Sequence, residues 1–569
     1  MLSTQSRLVR WLGIGVGVVL VTVAIWILTR RGSSLPPSSQ PSIIRAIRIP
    51  ILASSALQTL DPIKSVELVQ YNLDLQIFEC LVGVGANGDI VPALAASWES
   101  SPDFKVWTFH LRQASFADDE CFPAGNGRRV VTDDVVYSWK RGLSPKLGSL
   151  NSWALSSCVA GADTFASGDT DEVAGLEKID EQTIRVHLKQ PDRDFLTRLT
   201  VLSTAVVAPE AVKYYGDQFG FHPVGTGPFR LKQWLPSEYV LLERNPSFGQ
   251  GGGWQPRASK IDQSRFVFFR SEAQIANAFA EGSIDLRDVA GSDLVQLSDI
   301  TSVEELQRRF PDARVVRPGK VCRLHLLAPM IGDQYAFGAS APLRRWLTAT
   351  FDHKQLVKSA LGPLGSVTKS LVLPPDIIVD APPWKAVAQS RSDASSEVSL
   401  RGRTVKVAYV SSRIDDVTVG LLQKWLEQRG ATVRLFPSAS INALFASVGE
   451  VKPDLTLIYW SPYYPDLANY LTALLSTSRP VPDFTGYSSA DLDKAADQLR
   501  TTTGEAATKV RMKIGDILDR EMPWIPLYYE TPLILTKPYV RNFTINPVSV
   551  MLLPDVELDL ATATDGRGQ

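Results

Sequence analysis

Apolar and polar residues alternate along several segments of the chain, which is the pattern of a strand with one buried face. Residues 107–111 (WTFHL) and 184–188 (IRVHL) show this pattern most regularly. Residues 404–410 (TVKVAYV) are rich in β-branched side chains. Apolar residues at helical spacing follow in 421–426, and Gly430 is placed to end that helix. A second β-rich segment comes next, so the order predicts a βαβ unit.

Three segments further along the chain carry the signals of a helix start. Pro342 suits the first turn of a helix, and apolar residues recur behind it at helical spacing. Asp352 with Gln355, and Ser488 with Asp491, each predict a capping box. No internal repeat is visible. The chain is 569 residues long, which exceeds one hydrophobic core and predicts at least two domains of α/β or α+β type with mixed sheets.

The N-terminus carries the strongest hydrophobic signal. Residues 11–28 are uncharged and almost wholly apolar, and as a helix they would span about 27 Å, close to the thickness of a bilayer's hydrocarbon core. Trp11 and Trp26 lie near the two ends, where aromatic rings favour the membrane interface. No A-x-A site or cysteine follows at once. We therefore expect a transmembrane signal anchor, with a cleaved signal as the alternative.

The segment behind this helix is expected to be a spacer. Residues 29–44 contain the run GSSLPPSSQPS, a Pro/Ser-rich composition that cannot bury apolar surface. The folded region is expected to begin near residue 45. Two arginines flank the apolar segment on each side, so positive charge alone does not decide its orientation in the membrane.

Composition excludes some classes of protein. The formal net charge is -1, with 59 basic and 60 acidic residues, whereas nucleic-acid binders usually carry a basic excess. We therefore expect no nucleic-acid partner. Four cysteines in this length do not make a disulfide scaffold. Cys121 and Cys158 would be able to pair in an oxidising compartment, and idle thiols are the alternative.

Candidate chemical motifs are few. Residues 83–88 (GVGANG) fit a dinucleotide fingerprint, but residues 89–92 (DIVP) follow and predict a short strand instead of the required helix. The five histidines show no metal-ligand spacing, and the acidic residues 118–120 match no calcium loop. No nucleophile motif is present. We expect no catalytic residue, no metal and no cofactor.

A series of short blocks follows one order from residue 60 almost to the C-terminus. They are LDP at 60–62, IVPALAASWE at 90–99, DFKVWTFHLR at 103–112, DVVYSW at 134–139, GTGPF at 225–229, LERNP at 242–246, LRRW at 343–346, WSPYYPD at 460–466 and PWIPLYY at 523–529. Together these blocks resemble the oligopeptide/dipeptide-type extracellular solute-binding proteins of bacterial ABC importers, solute-binding protein family 5. Asp119 stands where that family usually has glycine.

The resemblance implies a bilobal fold of the periplasmic-binding-protein type II-like kind, with mixed α/β sheets and an extra subdomain. The first lobe would comprise residues 45–90, 205–305 and 526–569. The subdomain, residues 91–204, would lie on that lobe, and residues 306–525 would form the second lobe. A ligand would bind in the cleft as the lobes close about a hinge.

The resemblance also implies a ligand-binding site in two segments, which would hydrogen-bond the ligand main chain as an added strand does. By position these residues are Val66, Glu67, Leu68, Trp460, Ser461, Pro462, Tyr463 and Asp466. We expect the Trp460 indole to stack on a flat or apolar face of the ligand.

Tyr463 departs from the family pattern, which has an aspartate at this position to pair with the ligand's α-amine. A tyrosine brings no charge at pH 7. Leu455 and Leu457 on the preceding strand offer no cation for a ligand carboxylate. We therefore expect a blocked, modified or uncharged peptide-like ligand. The alternatives are a shifted register or an amine bound by Glu67.

The function implied by the resemblance is that of a receptor outside the cytoplasm, not an enzyme. It would be a periplasmic monomer, anchored in the cytoplasmic membrane by its N-terminal helix or secreted if that helix is cleaved. It would capture a peptide or peptide-like molecule and deliver it to an ABC transporter permease. The alternative is a membrane-tethered sensor that passes ligand occupancy to a signalling partner. An enzyme on the same scaffold is a third hypothesis, and no group of residues supports it.

Overall fold

The computed structural model describes residues 44–52, 57–65, 67–149, 151–289, 300, 302–317, 323–362, 365–367, 399–461, 467, 471–477 and 485–559. The predicted anchor at 11–28 lies outside these residues, and so does the predicted linker up to residue 43. Among the described residues, no helix combines the length and apolar character needed to cross a bilayer. The described residues from Arg45 onward belong to one compact unit.

The strands of the described residues are distributed along the whole chain. They are β1 (Ala46–Leu52), β2 (Val82–Val84), β3 (Ile90–Pro92), β4 (Ala95–Ser100), β5 (Val106–Leu111), β6 (Leu176–Lys178), β7 (Thr183–His187), β8 (Phe229–Leu235), β9 (Tyr239–Arg244), β10 (Gln263–Phe269), β11 (Leu286–Asp288), β12 (Arg314–Val316), β13 (Arg323–Pro329), β14 (Gly365–Val367), β15 (Thr404–Val410), β16 (Thr432–Ser438), β17 (Leu455–Trp460), β18 (Ile525–Glu530), β19 (Ile534–Thr536), β20 (Val540–Arg541) and β21 (Glu557–Leu558).

The α-helices of the same residues connect these strands. They are α1 (Leu68–Ile77), α2 (Thr132–Leu143), α3 (Trp153–Ser156), α4 (Ala162–Ser167), α5 (Phe195–Arg198), α6 (Pro209–Tyr215), α7 (Glu272–Ala280), α8 (Val303–Arg309), α9 (Ala341–Thr350), α10 (His353–Ala360), α11 (Arg413–Glu427), α12 (Ile441–Val451), α13 (Ala490–Leu499) and α14 (Gly504–Glu521). Short 3₁₀ helices lie at Pro62–Lys64, Pro123–Gly125, Leu202–Thr204, Gly216–Phe221 and Leu553–Asp555, and a π-helical turn lies at Leu471–Leu475.

Two four-stranded sheets share one hydrophobic core. One sheet has the order β1-β10-β9-β8, with β1 parallel to β10 and the other pairs antiparallel. The second sheet, β4-β5-β7-β6, is antiparallel throughout. Ile49 and Phe266 of the one sheet and Phe109 and Ile184 of the other are buried in the same cluster. This part of the molecule is called the first lobe below.

A six-stranded mixed sheet forms the centre of the second lobe. Its order is β14-β18-β13-β17-β15-β16, with β15 parallel to β16 and β17, and β13 antiparallel to β17 and β18. Both faces are covered, because each carries its own apolar cluster. Leu347 of α9 and Leu426 of α11 belong to one cluster, and Leu492 of α13 and Ile514 of α14 to the other.

A three-stranded antiparallel sheet, β11-β19-β12, joins the two lobes. Ile534 of β19 and Leu286 of β11 pack in the core of the first lobe, while the next residue along β19, Leu535, packs in the second. Because successive side chains of a strand point to opposite faces, β19 contributes to both cores at once.

Most of the elements predicted from the apolar pattern are confirmed. The two alternating segments are β5 and β7, and β15, α11 and β16 form the predicted βαβ unit. Asp352 caps α10 by accepting a hydrogen bond from the Gln355 N–H at 2.9 Å. The predicted Ser488 cap is wrong by one residue, because the Ser489 hydroxyl accepts the bond from the Leu492 N–H. Residues 85–89 form the turn between β2 and β3, and the predicted short strand is β3.

Cys121 and Cys158 are free thiols in the structure. Burial raises the pKa of Cys121 to about 12, and neighbouring carboxylates contribute to the shift. Burial also raises the pKa of Cys158, to about 11. Of the two alternatives left open by the sequence, the structure therefore has unpaired, protonated thiols.

Candidate binding site between the lobes

A row of aromatic rings crosses the sheet of the second lobe. His325 of β13 is directly opposite Tyr459 of β17 on one side and Tyr528 of β18 on the other. The His325 ring stacks on Tyr528 with centroids 4.5 Å apart, and its centroid lies 5.6 Å from that of Tyr459. Trp460 follows Tyr459 and therefore projects from the opposite face, where it packs against the cluster that contains Leu324.

The exposed side chains of Tyr459 and Asp288 indicate a concave site beside this row, called the recess below. The Tyr459 side chain is 51% exposed, and Asp288 at the end of β11 is also exposed. Both groups nevertheless have a raised pKa, chiefly because the surrounding protein withdraws them from bulk water. Arg323 and Glu530 act electrostatically on both groups, Arg323 lowering and Glu530 raising each pKa. Exposed side chains that are enclosed in this way form the wall of a concave site.

Glu67 brings the first lobe to the same recess. It is the residue before α1, a helix whose Leu73 and Ile77 are buried in the first-lobe core. Its backbone N–H donates to the side chain of Gln70 at 3.4 Å, which fixes the start of the helix. The Glu67 carboxylate raises the pKa of the Tyr459 phenol. A first-lobe carboxylate is therefore near enough to a second-lobe ring to act on it electrostatically.

Arg323 and Glu530 set the charge on the second-lobe side of the recess. Nη1 of Arg323 donates to Oε1 of Glu530 at 3.2 Å, and Oε2 of Glu530 lies 2.7 Å from Nε2 of His325. Burial alone would raise the pKa of Glu530, but these two neighbouring cations lower it to about 2. Glu530 is thus ionised throughout the neutral range, and the two cations hold it in place.

The structure describes four of the eight predicted site residues. Glu67 and Leu68 lie at the start of α1, and Trp460 and Ser461 lie at the end of β17. Oγ of Ser461 is buried without a hydrogen-bond partner among the described residues. The other predicted residues fall outside the described part of the chain: Val66, Pro462, Tyr463 and Asp466.

The sequence did not predict three charged residues of this site, Arg323, His325 and Glu530. The prediction that concerned Leu455 and Leu457 addressed the adjacent strand. Leu455 and Leu457 of β17 are buried in the second-lobe core. Arg323 and His325 lie on β13, the adjacent strand of the sheet. Arg323 is the first residue of β13, and the six residues that follow it in the strand are all buried. A mostly apolar segment of this kind does not show which strand lies beside it.

A second concave region lies between the lobes. It is a cavity of about 800 Å³ whose first-lobe wall comprises residues 149, 152–153, 156–158 and 189–192. The second-lobe wall comprises residues 471, 476–477, 492–493, 496–497 and 500. Ser149, Ser152 and Lys189 give it a polar first-lobe wall, and Asp493 and Arg500 a charged second-lobe wall. Nδ2 of Asn151 donates to the carbonyl of Ser65 at 3.0 Å, which connects this wall to the segment that precedes Glu67.

Two α/β lobes that meet across a charged recess define the class of bilobal binding proteins. Solved structures confirm this fold. Haemophilus influenzae OppA, in complex with the peptide RPPGFSPFR, has a TM-score of 0.71 at 20% identity, covering 91% of this chain and 99% of that one. The Escherichia coli murein tripeptide binding protein MppA has a TM-score of 0.73 at 20% identity, with coverage of 91% and 99%.

The sequence comparisons give the family. The periplasmic oligopeptide-binding protein OppA of Escherichia coli (strain K12) is 25% identical to this chain over 513 residues, 86% of this chain and 88% of the relative. The probable deoxycholate-binding periplasmic protein YgiS of the same organism is 23% identical over 510 residues, with coverage of 86% and 89%. Residues 89–480 match the bacterial extracellular solute-binding proteins, family 5. The chain belongs to this family.

Proposed function

We propose that this chain is a receptor outside the cytoplasm that captures a peptide-like ligand between its two lobes and delivers it to the permease of an ABC importer. The observation that carries the proposal is the position of Glu67, a first-lobe carboxylate that acts across the recess on Tyr459 of the second lobe. Relatives named for oligopeptide and murein peptide binding support it. No described constellation resembles a catalytic site.

The recess has both positively and negatively charged side chains, and these indicate which charged groups the ligand has. Glu67 and Asp288 present carboxyl groups, and Arg323 presents a guanidinium held by Glu530. Charge-assisted hydrogen bonds to such groups are roughly twice as strong as neutral ones. We propose a short peptide with a free amine and a free carboxylate. This proposed ligand differs from the blocked, modified or uncharged peptide that Tyr463 alone favours.

The proposed contacts of the ligand are the two segments expected from the resemblance. Val66, Glu67 and Leu68 would contact it from the first lobe, and residues 460–466 from the second, including Trp460, Ser461, Pro462, Tyr463 and Asp466. Because Trp460 packs against the second-lobe core, we propose that Tyr459 supplies the ring that contacts the ligand.

Calorimetric titration with three tripeptides tests the ligand class. Trialanine carries both charged ends, N-acetyl-trialanine lacks the amine, and trialanine amide lacks the carboxylate. Alanine side chains are suitable because main-chain recognition carries little side-chain specificity. We expect trialanine to bind more tightly than either blocked form, by about tenfold, or about 1.4 kcal/mol. Equal affinity for all three would contradict the two-charge ligand, and no binding by any would count against a peptide receptor.

The proposed location rests on residues 11–28 as a membrane anchor. The relatives named above are periplasmic, and an apolar segment of this length suits a bilayer. Alkaline extraction of membranes should leave the full chain in the pellet and release a variant without residues 1–43. Cross-linking in the membrane should recover a permease subunit, and recovery of a signalling protein instead would favour the sensor. Light scattering should give a monomer mass.

A further inference from the structure

A continuous chain of charged side chains runs through the second lobe beside the recess. Nη1 of Arg323 lies 3.2 Å from Oε1 of Glu530, and Oε2 of that carboxylate lies 2.7 Å from Nε2 of His325. On the other side of the ring, Nδ1 of His325 lies 3.8 Å from Oδ1 of Asp415 in α11. His325, Glu530 and Asp415 are 3%, 8% and 7% exposed. The chain therefore crosses from the recess into the interior.

Both ring nitrogens of His325 face a carboxylate. A neutral imidazole donates from one nitrogen and presents a lone pair at the other, whereas an imidazolium donates from both. Nδ1 of His325 and Oδ1 of Asp415 are buried and have no hydrogen-bond partner among the described residues. Only the imidazolium therefore compensates both anions. Burial lowers the pKa of His325, but the facing Asp415 and Glu530 carboxylates outweigh it and raise the pKa above its ordinary value.

Asp415 is fixed in the first turn of α11 by the residue that caps the helix. Its Oδ2 accepts a hydrogen bond from the Ser412 hydroxyl at 2.7 Å. Ser412 is the N-cap of the helix, and Asp415 lies in the first turn, where the helix dipole favours negative charge. If His325 loses its proton, the carboxylate of Asp415 is left buried opposite a lone pair, which is strongly unfavourable.

The sheet and α11 touch at a second point. Oγ1 of Thr418 in α11 lies 3.1 Å from the hydroxyl of Tyr528, whose ring stacks on His325. The charged or titratable groups that face His325 are Arg323 on its own strand, Tyr459 on β17, Tyr528 and Glu530 on β18, and Asp415 on α11. The protonated ring therefore connects α11 to three strands at the edge of the recess.

We propose that His325 is a positioning residue for ligand binding: as an imidazolium it holds α11 against β13 and β18 and keeps Tyr459 in place at the recess. The part that concerns ligand rests on the proposed function. The contact is complete below about 6.5, the ordinary pKa of histidine, and is lost as the pH rises through the higher value of the folded state. Ligand affinity should fall over the same range.

Histidine-selective NMR of the full chain tests the protonation of the His325 ring in the absence of ligand. The sequence has five histidines, so the His325 signal can be assigned by its loss in the His325→Gln variant. We expect it to titrate above pH 6.5 in the wild type. In Asp415→Asn the midpoint should fall by about one unit, because one facing anion is gone. A midpoint below 6.5, or one that Asp415→Asn leaves unchanged, would overturn the proposal.

Amide hydrogen exchange tests whether the protonated His325 ring holds α11 against the sheet. Between pH 6 and 9, the start of α11 should lose protection by about threefold or more beyond the chemical effect of pH, and His325→Gln should be unprotected at both pH values. His187→Gln is the matched control, because His187 lies 2.8 Å from Glu177 and both side chains are partly exposed. If His325→Gln does not fold, the exchange profiles of the wild type and of Asp415→Asn still test the proposal. Unchanged protection of α11 in the wild type would contradict the proposal.

Trialanine supplies the ligand readout. Titration of the peptide's own α-amine at about pH 8 weakens binding to both proteins, so the wild type should lose about tenfold more affinity between pH 6 and 9 than Asp415→Asn does. An equal fall in the two proteins would show that His325 does not position the ligand site. Failure of every tripeptide to bind counts against the proposed function alone, since the NMR and exchange experiments contain no ligand.

Discussion

The guanidinium of Arg193 in the first lobe donates from Nη1 to the carbonyl oxygen of Thr502 in the second lobe, 2.8 Å away. The backbone N–H of Arg193 also donates to the carbonyl of Arg500 at 3.1 Å. Both acceptors follow α13, and the last carbonyls of a helix lack partners within the helix. A cation at this end is also favoured by the helix dipole. Arg193 thus links the two lobes by two hydrogen bonds beside the 800 Å³ cavity.

Replacing Arg193 with alanine should shift the protein towards an open form. A hydrogen bond to a charged group contributes about 1.5–3 kcal/mol, so its loss should increase the open population by about tenfold or more. Small-angle scattering of the ligand-free protein should show a larger radius of gyration. Arg185→Ala is the control, because Arg185 pairs with Glu177 within the first lobe. Identical scattering from Arg193→Ala and the wild type would show that the contact does not hold the lobes.

Replacing Glu67 with glutamine should weaken the binding of trialanine by about tenfold, because the amine then loses a charged partner. The same variant should bind N-acetyl-trialanine as the wild type does. Calorimetric titration of both peptides makes this comparison. Glu505→Gln serves as the control, since Glu505 is an exposed residue of α14 that pairs only with Lys509 among the described residues. Equal losses for both peptides would mean that Glu67 does not meet the amine.

Arg344 should be the most costly arginine of α9 to replace. Its buried guanidinium donates to the carbonyls of Met522, Phe337, Gly338 and Glu521 at 2.7 to 3.0 Å. Burial lowers its pKa to about 10, so it remains charged at neutral pH. Arg344→Leu leaves these carbonyls unpaired, and we expect a loss of about 3 kcal/mol in the free energy of unfolding, measured in urea.

Arg345 provides the comparison for that measurement. It neighbours Arg344 in α9 but reaches more exposed carbonyls, those of Asp519 and Arg520, at 3.0 and 3.3 Å. Arg345→Leu should therefore cost less than about 1 kcal/mol. Similar losses for the two variants would show that the buried carbonyls are not what makes Arg344 important.

Asp74 should be a site where a substitution stabilises the protein at neutral pH. Burial raises its pKa well above the usual value, and the Ser65 hydroxyl donates a hydrogen bond to its Oδ2. A carboxyl with a raised folded pKa reduces stability once the pH exceeds its unfolded value. Asp74→Asn removes this penalty, so it should raise the free energy of unfolding by about 1 kcal/mol at pH 7, with a smaller gain at pH 4. A loss of stability at pH 7 would contradict this reading of Asp74.

The sequence predicted the fold more completely than the site. Alternation at residues 107–111 was sufficient for β5, since one face of that strand is buried and the other is not. The cap at Ser489 was misplaced by one residue, because two adjacent serines offer the same side chain and only backbone geometry selects between them. The resemblance supplied the bilobal arrangement, which no local pattern contains.

The charged residues of the site were not predicted from the sequence, and the reason is different. Arg323 and Glu530 are directly opposite each other on β13 and β18, yet more than two hundred residues separate them in the chain. Pairing between distant strands depends on the whole sheet, and short-range patterns do not encode it. The resemblance assigned the ligand-stacking role to Trp460 and none to Tyr459, whereas strand alternation places Tyr459 on the same face as His325.

Native mass spectrometry of the full chain, after incubation with a tryptic digest of casein, tests whether the protein binds peptides without altering them. We expect a complex with one peptide per protein, released unaltered on denaturation and much reduced in the Glu67→Gln, Tyr459→Ala double variant. Bare protein as the only species, or peptides that emerge shortened, would contradict a receptor that holds its ligand between two lobes without changing it.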